Sequence, residues 1–280
     1  MKYIDVSEWQ GAVDWETAKP HIDGAVLRAG WGAGRADRRF ARNAAECNRL
    51  GIPCGAYWFS YAKSVPEAEA EAAALLAAVK PYRMELPLIF DFEYDSVSAA
   101  RAGGVEVSKA LATDMVRAFC ETVEAGGCYA LFYANPDFLT RYFDAELPRR
   151  FGLWLAQWPG GTPDLTQPPR RCAMWQWTNA GRVPGVSGDV DISEAYADFA
   201  ELIRAAGSNR LSPALASPSG GGGTSGASDG EGPLSDALAW AVDMGILSAD
   251  AARRPTDTPT LAAVAEMFYM LCRDCRSRRT

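Results

Sequence analysis

Eight short apolar runs punctuate the first part of the chain: Tyr3–Ser7, Ala25–Gly32, Pro53–Tyr61, Leu86–Glu93, Tyr129–Asn135, Leu153–Trp158, Ala173–Thr178 and Asp189–Ile192. Rich in branched and aromatic side chains, they predict strands. Helix-length segments separate the first five runs. Val65–Lys80 and Val107–Ala125 are the clearest, rich in Ala and Glu, the first with Pro66 near its start. Parallel strands need such crossovers. The later gaps read Pro-Gly-Gly-Thr-Pro and Gly-Arg-Val-Pro-Gly, turn compositions that do not support full helices. The pattern predicts an α/β barrel of eight strands, with helices after about five of them.

The run Leu86-Pro87-Leu88-Ile89-Phe90 closes on Asp91-Phe92-Glu93, setting two acids where strand side chains should be buried. Alternation sends both to one face, with Cα atoms roughly 6–7 Å apart. Each charge raises the other's pKa, so the pair is fitted to hold one proton near neutral pH. That is the outline of glycosidic-bond hydrolysis. In barrels of this kind, catalytic groups sit at the C-terminal ends of several strands. Asp5, Asp91, Glu93 and Asp191 all lie at or near such ends.

Aromatic residues share those positions: Trp9, Trp31, Tyr57, Tyr61, Tyr133, Trp158, Trp175 and Trp177. Flat ring faces pack on sugar rings, and about half of this set is expected to line a cleft, the remainder being core. Trp154 and Phe132, with strand neighbours on both sides, are expected in the core. The candidate substrate-binding set is Trp9, Trp31, Tyr57, Tyr61, Tyr133, Trp158, Trp175 and Gln176.

Several motifs recur in a fixed order. Ile4-Asp5-Val6-Ser7 with Gln10-Gly11 and Val13-Asp14-Trp15, then Arg28-Ala29-Gly30-Trp31-Gly32 with Asp37, Phe40 and Asn43, resembles the opening of glycoside hydrolase family 25, the Chalaropsis-type lysozymes. Gly55-Ala56-Tyr57-Trp58-Phe59-Ser60-Tyr61, Asp91-Phe92-Glu93, Tyr133-Ala134-Asn135, Leu153–Trp158, Trp175-Gln176 and Val190-Asp191-Ile192 continue the pattern. The resemblance covers about residues 1–200.

It implies a flattened TIM-like barrel of five βα units plus three further strands. It also implies cleavage of the β-1,4 bond from N-acetylmuramic acid to N-acetylglucosamine in peptidoglycan. Glu93 matches the family's general acid, Asp91 its partner carboxylate, and Asp5 and Asp191 the two other acids. Asp91 either attacks the anomeric carbon or orients the substrate's 2-acetamido group to do so. Both routes retain configuration, in keeping with a short carboxylate separation.

The remaining chemistry narrows the field. A single histidine, His21, excludes a Ser-His-Asp site or a His-rich metal site. Gly30-Trp31-Gly32-Ala33-Gly34 lacks the spacing of a phosphate loop or dinucleotide fingerprint. No metal and no cofactor are expected. A net charge of −7 argues against nucleic acid and offers no electrostatic help in reaching an anionic cell wall, so binding there should rest on stacking and hydrogen bonds. No apolar stretch reaches membrane-spanning length, and Asp5 and Glu8 fall where a signal peptide needs an apolar core. Synthesis in the cytoplasm and action on the wall after release are therefore expected. The hydrophobic content of 48% is ample for a core.

Seven scattered cysteines, at 47, 54, 120, 128, 172, 272 and 275, lack the spacing of a disulfide framework and read mostly as buried thiols. Three domain segments are expected: a catalytic barrel at 1–206, a Gly/Ser/Pro-rich linker at 207–233, and a small helical module at 234–280. The linker's mean span is on the order of 25–30 Å. The module resembles a single S-layer homology repeat in Trp240-Ala241, Gly245-Ile246, Arg254-Pro255-Thr256 and Leu261–Ala265. Thr260-Leu261-Ala262-Ala263 replaces that family's Thr-Arg-Ala-Glu signature. So small a unit without disulfides buries little surface alone, which leaves wall-polymer targeting, self-association or a degenerate remnant as its readings.

For the whole chain the leading expectation is a bacteriolytic muramidase of the phage or prophage endolysin kind. A catalytically silent glycan-binding protein, or a glycosidase of another N-acetylhexosamine polymer, stands as the alternative. The presence of all four acids separates the first reading from the silent one.

Overall fold

The computed structural model describes residues 1–211; the helical module expected at 234–280 lies outside the described residues, as does most of the expected linker. The described strands are β1 (Lys2–Val6), β2 (Gly24–Trp31), β3 (Arg35–Ala36), β4 (Cys54–Phe59), β5 (Leu88–Asp91), β6 (Ala130–Ala134), β7 (Leu153–Ala156), β8 (Met174–Gly181) and β9 (Val190–Ala195). They form one sheet in the order β1-β9-β8-β7-β6-β5-β4-β2-β3, and pairing of β1 with β2 closes eight of them into a barrel. The short β3 is an antiparallel addition on β2.

Neighbouring barrel strands are parallel from β1 through β8, and β9 runs antiparallel to both β8 and β1. The short turn-rich link from β8 to β9 explains this inversion, because a link without a crossover can join only antiparallel neighbours. The helices are α1 (Trp15–Ala18), α2 (Phe40–Leu50), α3 (Val65–Val79), α4 (Tyr94–Ala102), α5 (Lys109–Ala125), α6 (Pro136–Arg141), α7 (Leu147–Arg150) and α8 (Phe199–Ala205). The first seven lie in the links after β1, β2, β4, β5 and β6, the links after β7 and β8 have none, and α8 follows β9. This is the five-plus-three barrel that the turn compositions and the family resemblance both indicated.

Caps set the element ends. Ser64 accepts a hydrogen bond from the Glu67 amide to start α3, and Ser108 accepts from Leu111 to start α5 at Lys109 rather than at Val107. The strand expected over Leu86–Glu93 contracts to Leu88–Asp91. Pro87 has no amide hydrogen for the ladder, and at the other end the Glu93 amide donates to Ser96 Oγ at 3.0 Å. The chain therefore turns straight into α4, and Glu93 becomes its N-cap.

Period-two alternation sorts the barrel interior into an apolar lower layer and a polar upper one. Tyr3, Val26, Ile89, Leu131 and Met174 belong to one buried cluster, together with Trp154. Two residues further along the same strands come Asp5, Arg28, Asp91, Tyr133 and Gln176. Phe199, Leu202 and Ile203 of α8 join the lower layer. The other faces of the strands pack on the helices through a second cluster that includes Ile4, Leu27, Phe90 and Phe132.

The chain beyond α8 remains pinned to the barrel. Asn209 is buried with a left-handed φ of 52°, and its side chain accepts from the Tyr129 amide at 2.8 Å. Its amide nitrogen donates to the carbonyls of Met84 and Leu86 at 3.0 Å each.

Cys47, Cys54, Cys120, Cys128 and Cys172 are buried free thiols, and Cys272 and Cys275 lie outside the described residues. Among the described residues no helix is long and apolar enough to cross a membrane.

Candidate active site

The polar upper layer opens into a cavity of about 290 Å³ at the C-terminal ends of the parallel strands. Asp5, Asp91, Glu93 and Asp191 all line it. Each reaches the cavity by a different local device. Asp5 lies within β1 and stands in register opposite Asp191 of β9. Asp91 is the last residue of β5, and Glu93 enters from the N-cap of α4.

Four carboxyls in so small a space cannot all ionise. Burial pushes the Asp5 carboxyl well above the usual range, the Asp191 charge adds to this, and a hydrogen bond from Gln176 opposes it. Asp91 is likewise pushed well up by burial, then by the charges of Glu93 and Asp5. Burial raises Glu93 to about 7, opposed by a hydrogen bond shared with Asp91 and aided by the Asp95 and Asp191 charges. Asp191 rises to about 6 through burial, against a hydrogen bond from Asp5. The site is thus two hydrogen-bonded carboxyl pairs, Asp5 with Asp191 and Asp91 with Glu93.

The Oδ1 atom of Asp91 is buried without a hydrogen-bond partner. Such an atom costs about 1–3 kcal/mol unless a partner arrives. Glu71 Oε2, behind the site on α3, is the other unpartnered buried oxygen among the described residues.

Arg28 is the cation among the lining residues, but its charge is already engaged. Its Nε lies 2.8 Å from Asp37 and its guanidinium 3.3 Å from Glu8. It therefore lowers the Asp91 pKa only as the least of the contributing causes. Burial pushes the Tyr57 and Tyr133 phenols well above their ordinary value, so both remain neutral hydrogen-bond donors.

Of the eight aromatic residues expected around the cleft, Trp9, Tyr57, Tyr133 and Trp158 line it. Trp9 and Trp158 form the exposed rim, at 78% and 52%. Trp9 rides on a short turn over Glu8–Gln10, in which the Ser7 amide donates to Gln10 Oε1 at 2.9 Å. Gln176 also lines the cavity.

The other four stand elsewhere, Trp177 half-buried against the outer core. Trp175 points to the opposite side of β8 from Gln176, buried in the outer core, and donates to the Gln157 carbonyl at 2.7 Å. Trp31 lies beneath the Arg28 guanidinium, 4.9 Å from the ring centre. Tyr61 packs on Phe59, with ring centres 5.3 Å apart. Trp154, expected in the core, is buried there and also forms part of the cavity wall.

Residues outside the expected set complete the lining: Ser7, Gln10, Arg28, Phe59 and Asn179 among them. Arg28 left a signal, a charge inside the apolar run Ala25–Gly32. Asn179 left none. Register shifts on either side of Thr178 in β8 set its position, and a bulge is not visible in a strand's composition. Among the described residues no group of three or more His, Cys, Asp or Glu side chains is arranged to hold a metal ion.

With this geometry in view, the profile of glycosyl hydrolases family 25 matches residues 4–186. The chain belongs to that family. As a family 25 member it is a glycoside hydrolase. Lysozyme M1 of Streptomyces globisporus is 25% identical over 211 residues, which cover 71% of this chain and 69% of the relative. The uncharacterized protein YegX of Escherichia coli O6:H1 is 29% identical over 205 residues, covering 71% of each. Among solved structures, the CTP1L endolysin superposes with a TM-score of 0.59 at 25% identity, over 72% of this chain and 68% of the endolysin. The family 25 match ends at residue 186, before β9, so Asp191 and everything after it fall outside the match.

Proposed function

We propose that this peptidoglycan hydrolase is an N-acetylmuramidase, cleaving the β-1,4 bond between N-acetylmuramic acid and N-acetylglucosamine with retention of configuration. The observation that carries the reading is the hydrogen-bonded Asp91–Glu93 pair at the base of an aromatic-rimmed cleft. A carboxyl raised to about 7 keeps its proton at neutral pH and can give it to a leaving oxygen. Glu93 is assigned that step, and as a carboxylate it then takes a proton from water. Asp91 is the partner on the side of the anomeric carbon. Its unpaired buried Oδ1 is suited to accept the N–H of a 2-acetamido group, aligning that group for attack. Direct attack by Asp91 would retain configuration as well. Burial and the Asp191 charge hold the proton on Glu93, and Asp5 pairs with Asp191. Trp9 and Trp158 are assigned stacking on sugar faces, with Tyr57, Tyr133 and Gln176 beneath them.

The similarity to a protein described as an endolysin supports a phage or prophage lysis role. In that role, residues 234–280 would hold the enzyme on the wall or on a second copy of itself. The deciding experiment is mass spectrometry of fragments released from purified peptidoglycan after reduction of their new ends. A reduced muramic acid end is the expected result; a reduced glucosamine end would assign the enzyme to the other glycosidic bond.

A further inference from the structure

Gln176 carries no charge, yet its side chain joins three parts of the cleft. Its Nε2 donates to Asp5 Oδ2 at 2.9 Å. Its Oε1 accepts from the Tyr133 hydroxyl at 3.1 Å and from the Trp158 indole nitrogen at 3.3 Å. An indole N–H can only donate, so the amide oxygen must face Trp158 and the NH₂ must face Asp5. Gln176 is 3% exposed, which leaves the amide little freedom to turn over.

This orientation has a consequence for the acid pair. By donating to Asp5 Oδ2, Gln176 favours the ionised form of Asp5, but burial is the larger cause and leaves Asp5 the member of the pair that holds the proton. Asp5 then donates to Asp191 and keeps it ionised, and the Asp191 charge is one of those that hold the proton on Glu93. We propose that Gln176 is a positioning residue: locked by Trp158 and Tyr133, it sets how firmly Asp5 holds the proton of the Asp5–Asp191 pair and so tunes the proton on Glu93. The chain from rim to acid runs from Trp158 through Gln176, Asp5 and Asp191 to Glu93. A sugar stacked on Trp158 orders the first link, so occupancy of the rim is felt at the buried acids. The groups around the pair from other strands are Arg28, Tyr57, Asp91 and Tyr133.

The proposal rests on Glu93 being the general acid, and its test is the pH profile of kcat/KM on soluble peptidoglycan fragments. Gln176→Met keeps the volume and removes the amide. Asp5 then loses a bond that favours its ionised form, holds its proton more firmly and keeps Asp191 ionised, so Glu93 keeps its proton to higher pH. The alkaline limb should move up by about one pH unit. Trp158→Phe keeps a stacking ring, frees the amide and should move the limb the same way. Gln176→Glu adds a like charge beside Asp5 and should move it up. Limbs that stay at the wild-type pH in folded Trp158→Phe and Gln176→Met proteins would overturn the positioning role, even if kcat fell. Were Glu93→Gln itself active, the failure would instead lie with the assignment of the acid.

Discussion

Asp5 and Asp191 face each other across the β1–β9 junction, the antiparallel junction where the barrel's inverted strand meets its first strand. In a parallel barrel every inward residue at a given level runs in the same direction. The inverted β9 instead brings Asp191, near its own start, to the level reached by Asp5 near the end of β1. The resulting carboxyl pair, added to Asp91 and Glu93, makes proton content the controlling variable of this site.

Glu93→Gln should abolish turnover while leaving the fold intact, because an amide of equal size cannot supply the proton. General acid catalysis is worth about 10²–10⁴-fold. Release of reducing ends from purified walls measures this, and retention of more than about a tenth of wild-type activity would remove Glu93 from that role.

Stability should fall as pH rises. The folded-state pKa values of Glu71, Glu93 and Asp191 are raised above the ordinary 4.5, 4.5 and 3.8, to about 7, 7 and 6. Groups raised in this way bind protons more tightly folded than unfolded, so their contribution is complete below about pH 4 and is lost as pH rises through 6–7. Glu71 isolates the effect away from the acids of the cleft. Its Oε1 accepts from the Tyr61 amide at 2.9 Å, a bond that Gln can keep. Chemical denaturation of Glu71→Gln at pH 5 and pH 8 should show a smaller pH dependence than wild type, by on the order of 3 kcal/mol. An unchanged slope would contradict the buried, protonated state of Glu71.

Asn209→Ala should destabilise the barrel by about 2–3 kcal/mol, because the Tyr129 amide and the Met84 and Leu86 carbonyls lose their partner together. Thermal melts of the variant would measure it. A chain ending at residue 206 should show a similar loss, while one ending at 211 should melt with the wild-type barrel.

Deleting 212–280 should lower activity on intact walls more than on soluble fragments, since a tethered wall-binding unit acts by raising the local concentration of enzyme. Equal losses on both substrates would contradict a targeting role for that region.

Early-time proton NMR of the released reducing end should show the β-anomer before mutarotation. The short separation of Asp91 and Glu93, two residues apart where β5 passes into α4, leaves no room for a water molecule opposite the acid. An α-anomer appearing first would refute both the retaining route and the pairing of these two acids.

The eight barrel strands, the helices between the early ones and the four acids were legible because each depends on local rules. Strand alternation places Asp91 two positions after Ile89, and turn composition forbids helices after β7 and β8. The ordered motifs carried the family. The aromatic residues were less legible, since a Trp on a strand serves core or cleft according to its face. Trp175 and Gln176 are adjacent, and which of them looked inward followed from the register of β8 against β7 and β9.

By itself, then, the chain's pattern determined the barrel class, the strand ends bearing acids and the chemistry those acids share, because apolar period and turn propensity act over a few residues. Tertiary structure alone decided that Asp191 faces Asp5, that Glu93 caps a helix, that Gln176 bridges Trp158 to the acids and that Asn209 pins the barrel's end. Those relationships join residues 43 to 171 positions apart in cases such as Tyr133 with Gln176 and Gln176 with Asp5, and they arise only when the sheet closes on itself. Closure also excludes water, and it is the lost solvation that raises the carboxyls above their ordinary range.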